Sequence, residues 1–554
     1  METISFSSRR SPVYALHGMA AASQPLAAAA GVEILQRGGN AADAAVAIAA
    51  ALNVTEPTST GLGGDCFALY YDASSKKITA LNGSGRAPAA LTLQRLQAEG
   101  LGETLPPYHP HTVTVPGACA GWCDLVERHG RLPLAQTLAP AIRLAEEGFP
   151  VAPITSYYWQ RGASGQLSQA VNGRELTLDG RGPNPGEIFR NPGLARTLQT
   201  IAGGGKKAYY QGAIAEAIVA VLARAGGCMS MQDLANHTST WEEPISVAYR
   251  GMRVWECPPN GQGLAALLAL AILRGFDLQS LPALSPERMH LQIEAMRLAF
   301  ADAFRYIADP AFAPAPLESL LSETYAAERR RLLDPRRANP EILHGTPPAV
   351  SDTVYFCAVD GEGNACSFIN SNYMGFGTGI VPHGWGFSLQ NRGHNFSLDP
   401  HHPNALMPGK RPYHTIIPGM MTREDGSLYG TFGVMGGFMQ PQGHMQVAVN
   451  LLDDGMDPQS ALDLPRWCIE PNRGQAPSPN QAVIALEEGI PAETLAALAD
   501  MGHAVQPVSG WGRSLFGRGQ IILRHEASGV LCGGSDPRAD GCALPANPNQ
   551  LTDL

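Results

Sequence analysis

Apolar and polar positions change their rhythm along this chain. From residue 24 to 54 the apolar positions keep helical spacing and are mostly alanine. This predicts two helices, the first ended by Gly38-Gly39-Asn40 and the second running from Ala41 to Leu52. A helix so small on every side is expected to pack closely and be buried. Phe67 to Tyr71 and Ile78 to Leu81 alternate with small residues and predict a strand pair. Residues 120–235 read as helix-rich, with turns at 180–185 and 203–205. Ile245 to Trp255 reads as one strand, followed by a turn at Pro258-Pro259-Asn260-Gly261. Residues 262–335 are again helical, and Arg329-Arg330-Arg331 is expected on their solvated side. Beyond Ser351 the period falls to two. Val354 to Val359 predicts a strand, Gly361 to Asn364 a turn, and Ala365 to Ile369 a second strand. Strand and turn alternate to about residue 450. Helical stretches over Ala461 to Cys468 and Pro491 to Met501 precede closing strands near Gln520 to Leu523.

Residues 336–350 are Pro-rich and polar and predict an exposed linker. It ends just before Asp352-Thr353, at the start of the strand–turn–strand. A cut before Thr353 would give one residue both a nucleophilic hydroxyl and a free amine to serve as its base. A flexible segment before the scissile bond suits such self-cleavage. Read locally, Thr353 is equally compatible with an ordinary β-former at a strand start.

Composition narrows the class. The 554 residues are 44% hydrophobic and 16% charged, which supports a large core and argues against wholesale disorder. Gly 61 and Pro 44 favour many tight turns over long helical bundles. A net charge of −10 gives no footprint for nucleic acid or an anionic membrane. No uninterrupted apolar core follows Arg9-Arg10, so no secretory signal is expected, and the apolar run over 44–54 is too short to span a bilayer. The expectation is a soluble cytoplasmic protein. Ten scattered cysteines without a Cys-x-x-Cys fit reduced thiols. His109 and His111, and His401 and His402, lack ligand partners at a recognised spacing, and Thr58 to Gly64 lacks the lysine of a phosphate loop. No metal or cofactor is expected.

Several blocks, taken in order, resemble the γ-glutamyltranspeptidase family of N-terminal nucleophile hydrolases. They are GGNAADAAVA (38–47), EPTSTGLGGD (56–65), GRAP (85–88), the Thr353 hairpin, FGTGI (376–380), PGKRP (408–412), GGFMQPQ (436–442) and GGSDPRADG (533–541). They span nearly the whole chain. The resemblance implies an α+β fold, a four-layer αββα sandwich with helical elaborations. It implies a precursor cut between Asp352 and Thr353 into a large subunit, 1–352, and a small one, 353–554. The two would stay together as a heterodimer, which can itself pair. Thr353 would be the nucleophile, with its own α-amine, of ordinary pKa near ~8, as base. Ser371 would touch it and aid self-cleavage. Gly436 and Gly437 would supply an oxyanion hole, where glycine lets the main chain approach the substrate. Arg86 would hold a substrate carboxylate.

The chain departs from the family pattern on the side that recognises the amino-acid head. An acidic residue that holds the substrate α-amine is replaced by Asn395. The hydroxyl pair after the KRP block is His414-Thr415. The residue two beyond Ser371 is Tyr373 where the family usually has Asn. The segment from Asn395 to Pro408 is too short for a long lid loop. These changes spare the nucleophile. They imply an amidohydrolase for a small carboxylate-bearing acyl group without an α-amine, of oxamate or glutaryl type. A true γ-glutamyltransferase or glutathione hydrolase is the alternative, and an uncleaved, silent scaffold is an alternative of another class.

Overall fold

The computed structural model describes residues 10–102, 105–339, 353–470 and 482–547. Most of the expected linker, and Asp352 with it, lies outside these residues. Two seven-stranded sheets face each other. The first has the order Cys542–Pro545, Gly18–Ala22, Val354–Asp360, Ala365–Ser371, Asp65–Asp72, Lys77–Gly83, Thr240–Glu242. The second has the order Val13–Ala15, Leu531–Ser535, Arg518–Arg524, Leu428–Met435, Gly419–Arg423, Met252–Glu256, Ile245–Tyr249. Neighbouring strands in both sheets are antiparallel.

The two-residue period assigns the layers. Tyr355, Cys357 and Val359 join Met420, Met435 and Ile522 in the core between the sheets. Val354, Phe356 and Ala358 turn the other way, to the alanine helix Ala41–Thr55. Met421, Phe432 and Val434 of the second sheet pack with the helices Gly263–Leu273, Pro286–Tyr306 and Met439–Leu452. The result is the expected αββα sandwich, with further helices inserted between residues 118 and 235. Strands covered on both faces read as continuous apolar runs, and all seven residues of Val354–Asp360 are buried. All fifteen residues of Ala41–Thr55 are buried too. Asn40 caps that helix through the Ala42 and Asp43 N–H groups, and Asp43 returns a bond to the Asn40 N–H.

Four local readings need correction. Ile245 to Trp255 is a hairpin, because Arg250 and Gly251 both take positive φ (50° and 76°) and make a two-residue turn. Residues 439–452 are helix, not strand and turn: Pro441 sits in the first helical turn, where its missing N–H costs nothing. Trp467–Glu470 is a strand after a short helix, Pro458–Asp463. The arginine run is not simply solvated. Arg330 donates to the Ile272 and Ala271 carbonyls at a helix end, and Arg329 pairs with Asp302 at 3.1 Å. No described helix is long and apolar enough to cross a membrane.

Candidate active site

Thr353 directly precedes the strand Val354–Asp360, whose register with Ala365–Ser371 pairs Val354 with Asn370. One further step sets Thr353 opposite Ser371. The next strand extends the row by pairing Ser371 with Asp65. The interval between Thr353 and Ser371 is therefore the register of a tight hairpin.

Both side chains are fully buried, with Thr353 Oγ1 3.0 Å from Ser371 Oγ. Ser371 Oγ also accepts the Tyr373 N–H at 2.9 Å and Arg392 Nη2 at 3.1 Å. A hydroxyl has two lone pairs and one proton. Either hydroxyl can donate in the contact between Ser371 and Thr353. The turn that delivers the Tyr373 N–H holds this bulky residue at φ +79°, a conformation that costs ~1–3 kcal/mol.

Arg392 organises the surrounding loops. It opens a short 3-10 turn, Arg392–Asn395. Its Nη1 donates to Thr415 Oγ1 at 2.6 Å, and its guanidinium lies over the Tyr373 ring, 4.4 Å from the centroid. Gln262 Nε2 in turn donates to the carbonyls of Thr415 (2.6 Å) and Gly437 (2.8 Å). One bonded series thus runs from Thr353 through Ser371, Arg392, Thr415 and Gln262 to Gly437. The sheets bring the same two ends together. Cys357 lies beside Thr431, and a Cβ on Gly433 would sit 2.5 Å from the Tyr355 ring. Met435, which ends this second-sheet strand, immediately precedes Gly436. Gly436 and Gly437 take φ of +136° and +59°, the left-handed region that glycine enters freely, just ahead of the helix Met439–Leu452.

Asp65 is the buried carboxylate of the site. Its Oδ1 accepts the N–H groups of Gly85 (3.0 Å) and Gly117 (3.1 Å) and Gln390 Nε2 (3.0 Å), and its Oδ2 lies 3.0 Å from His414 Nε2. Burial pushes its pKa up to about 6, against the opposing charge of Arg392. Burial, with Arg392 and Arg411 nearby, drives His414 well below its usual value. His414 is therefore neutral. Its Nδ1 accepts the Ile416 N–H at 3.4 Å, so its Nε2–H is the donor to Asp65.

The remaining expected residues lie further out. Arg86 is half-buried and donates to the Thr238 carbonyl at 3.3 Å, outside the bonded group around Thr353. The buried Arg411 donates to Ser84 O at 3.1 Å and Thr238 O at 3.4 Å, and Arg86 raises the cost of its charge; burial first and Arg86 second lower its pKa to about 10. Asn395 Nδ2 donates to Tyr413 O at 3.0 Å, and its Oδ1 has no partner among the described residues. Thr353, Ser371, Tyr373, Thr415 and the Gly436-Gly437 pair belong to one series or its end, while His414 joins through Asp65. Asp352 cannot be placed. Sequence reasoning missed Arg392, Asp65 and Gln262. Asp65 closes the EPTSTGLGGD block and Arg392 sits three residues before Asn395, so position within those blocks was the available signal. Gln262 had none beyond its place after a turn.

A family model described as Gamma-glutamyltranspeptidase matches residues 27–546. The Glutathione hydrolase-like YwrD proenzyme of Bacillus subtilis (strain 168) is 37% identical over 521 residues, 94% of this chain and 96% of its own length. The oxamate amidohydrolase proenzyme of Klebsiella pneumoniae is 33% identical over 533 residues, 95% of this chain and 98% of its own. The crystal structure of a cephalosporin acylase from Bacillus halodurans matches with a TM-score of 0.89 and 47% identity, covering 99% of each chain.

Proposed function

Because the chain belongs to the γ-glutamyltranspeptidase family, we propose that it is a self-processing N-terminal threonine amidohydrolase for amides of a small carboxylate-bearing acyl group. The observation that carries this reading is the row Asp65–Ser371–Thr353, in which the Ser371 and Thr353 hydroxyls are both buried and lie 3.0 Å apart. Self-cleavage before Thr353 frees its α-amine. That amine takes the Thr353 hydroxyl proton, and the oxygen attacks the amide carbon. Once the Thr353 proton has left, a hydrogen bond donated by Ser371 lowers the cost of charge on the attacking oxygen. The Gly436 and Gly437 N–H groups serve the developing oxyanion. The amine returns the proton to the leaving nitrogen, and water hydrolyses the acyl ester.

The recognition side favours acyl groups without an α-amine. Asn395 offers an ammonium no countercharge, and neutral His414 and buried Tyr373 narrow the space where a glutamyl head would sit. Oxamate-type and glutaryl-type amides are favoured over glutathione, with Arg86 as a clamp for the carboxylate of the longer acyl groups. The products of processing are a 352-residue and a 202-residue subunit that remain paired.

Two measurements test the reading. A denaturing gel of purified protein should give bands near about 37 and 21 kDa, the shares of 352 and 202 residues in the 58.6 kDa chain. Release of ammonia or amine should be followed in parallel from oxamate, a glutaryl amide, glutamine and glutathione. One uncleaved band with no turnover of any of them would leave only the silent scaffold. A marked preference for glutathione would make the protein a glutathione hydrolase.

A further inference from the structure

Among the described residues, four arginines are fully buried: Arg288, Arg392, Arg466 and Arg538. Three of them face a carboxylate, Arg288 with Asp454 at 2.6 Å, Arg466 with Asp536 at 2.7 Å and Arg538 with Glu487 at 2.5 Å. Arg392 has no carboxylate at ion-pair distance among the described residues. It touches two hydroxyls and the face of Tyr373. Asp65 acts on it only from further away, and both Asp65 oxygens are engaged by other donors. A buried charge without a partner is costly, and burial accordingly lowers the Arg392 pKa to about 10. Its Nε, and the hydroxyl of the Tyr373 ring that lies against it, have no hydrogen-bond partner among the described residues. Arg288 and Arg466 share the free Nε, so the missing carboxylate is what sets Arg392 apart.

We propose that Arg392 is the seat of the substrate carboxylate, and that it selects amides whose carboxylate is bonded directly to the scissile carbonyl. This rests on the amidohydrolase reading above. The argument is one of length. Arg392 Nη2 and Thr353 Oγ1 each lie about 3 Å from Ser371 Oγ, so they are within about 6 Å of each other. A charge-assisted hydrogen bond occupies ~2.8 Å of that span. The attacked carbon stands ~3–3.5 Å from the nucleophile. In an oxamate-type amide the carboxylate oxygen is only ~2.4 Å from that carbon, by ordinary bond lengths, and the substrate fits with its axis bent. A glutaryl group adds three methylenes and overshoots unless it folds back. The half-exposed Arg86 beside Arg411 is better placed for such longer groups. The covalent step conserves atoms simply. The Thr353 oxygen bonds to the amide carbon, the C–N bond breaks, and nitrogen leaves as ammonia with the proton the α-amine held. Water then releases oxalate.

The test uses processed wild type, Arg392→Lys and Arg392→Gln, with oxamate and a glutaryl amide as substrates and oxalate and glutarate as inhibitors. Wild type should favour oxamate in kcat/KM, and oxalate should inhibit more tightly than glutarate. For the variants, KM for oxamate should rise at least ~10-fold, more for Gln than for Lys, because a single donor or a neutral amide replaces a charged fork. The pH at which kcat is half-maximal should stay in place. Inhibition by oxalate should weaken in step with KM. A wild type that hydrolyses the glutaryl amide but neither hydrolyses oxamate nor binds oxalate overturns the inner seat and leaves the amidohydrolase reading intact. A cleaved wild type that hydrolyses no amide removes both. Variants in which kcat falls and its pH profile moves, with KM for oxamate and oxalate inhibition unchanged, would make Arg392 a positioning residue for Ser371 alone. If neither variant folds, the oxalate and glutarate inhibition of wild type still decides.

Discussion

The reaction side and the recognition side of this site are built on different rules. On the reaction side the hydroxyls are held in place. Ser371 accepts from the Tyr373 N–H and from Arg392 and lies 3.0 Å from Thr353, which sits at the end of a fixed register. On the recognition side polar atoms are left over. Arg392 Nε, the Tyr373 hydroxyl and Asn395 Oδ1 are buried without partners among the described residues. Unsatisfied buried groups cost ~1–3 kcal/mol each, and on this side of the site a bound ligand would complete them. The first side is preorganised for chemistry, and the second is finished by what it binds.

The sharpest break of that contrast is at Thr353. Thr353→Ala removes both the hydroxyl that cuts the 352–353 peptide and the catalytic hydroxyl. A denaturing gel should show one band, and turnover should be absent. Two subunits in that variant would remove the nucleophile assignment. Thr353→Ser keeps the hydroxyl and should still process, more slowly. Ser371→Ala should slow processing and turnover by roughly 10- to 100-fold, the worth of one buried hydrogen bond of ~1–3 kcal/mol. Time courses of subunit appearance measure it. An unchanged rate would mean that the Ser371 donation does not assist the Thr353 oxygen.

The same contrast explains what the sequence made legible. The fold and the reaction side are legible through the ordered blocks that resemble the family, which imply the contact of Thr353 with Ser371, and the hairpin register gives that contact its physical reason. The alanine helix announced itself by its small faces. Recognition residues come from loops whose meeting depends on the packing of both sheets. Arg392 reads as one more loop arginine until its burial is known, and Asp65 as the last letter of a glycine-rich block. The helix over 439–452 reads as strand and turn in the sequence; it accommodates Pro441 in its first turn, and a Cβ on Gly443 would press within 2.7 Å of Val434.

Arg86→Ala sharpens the recognition side. It should weaken kcat/KM for glutaryl or γ-glutamyl amides by roughly 1.5–3 kcal/mol, the worth of a charge-assisted hydrogen bond, and leave processing intact. Oxamate should change by less than ~3-fold if its carboxylate is held at Arg392, as proposed. Steady-state kinetics on the three amides would show it. Equal losses on all of them would place every carboxylate at Arg86.

Asp65 ties the two sides together and adds a pH dependence. Its folded pKa is raised to about 6, mainly by burial, from an ordinary 3.8. A raised pKa means that the folded form holds the proton more tightly. The associated stability is full below the unfolded value and is lost as pH rises through about 6. The stability advantage of wild type over Asp65→Asn should therefore be greater at pH 4 than at pH 7. His414, whose pKa is depressed, acts in the opposite sense in both proteins, so the difference between their Tm values isolates Asp65. A difference in Tm that does not vary with pH would mean that Asp65 titrates alike folded and unfolded.

The smallest effect is expected at Asn395, and the structure explains why. An aspartate there would supply the countercharge that a substrate ammonium lacks, which moves preference toward γ-glutamyl amides. It would also replace the Nδ2–H that now donates to Tyr413 O at 3.0 Å, leaving a carboxylate oxygen against a carbonyl oxygen in a buried place. Burial without a donor raises the pKa of the new carboxyl, so part of its charge is lost at neutral pH and part of the gain with it. Asn395→Asp should shift the ratio of γ-glutamyl to des-amino turnover upward by a few-fold at most, with a larger shift at pH 8 than at pH 6, since the carboxyl is more fully ionised there. The ratio of initial rates for glutamine and its des-amino counterpart, glutaramate, measures this. No shift at either pH would mean that the α-amine is placed elsewhere. A wild type that already prefers glutamine strongly would mean that Asn395 Oδ1, unpartnered and buried, accepts the ammonium without help from a charge.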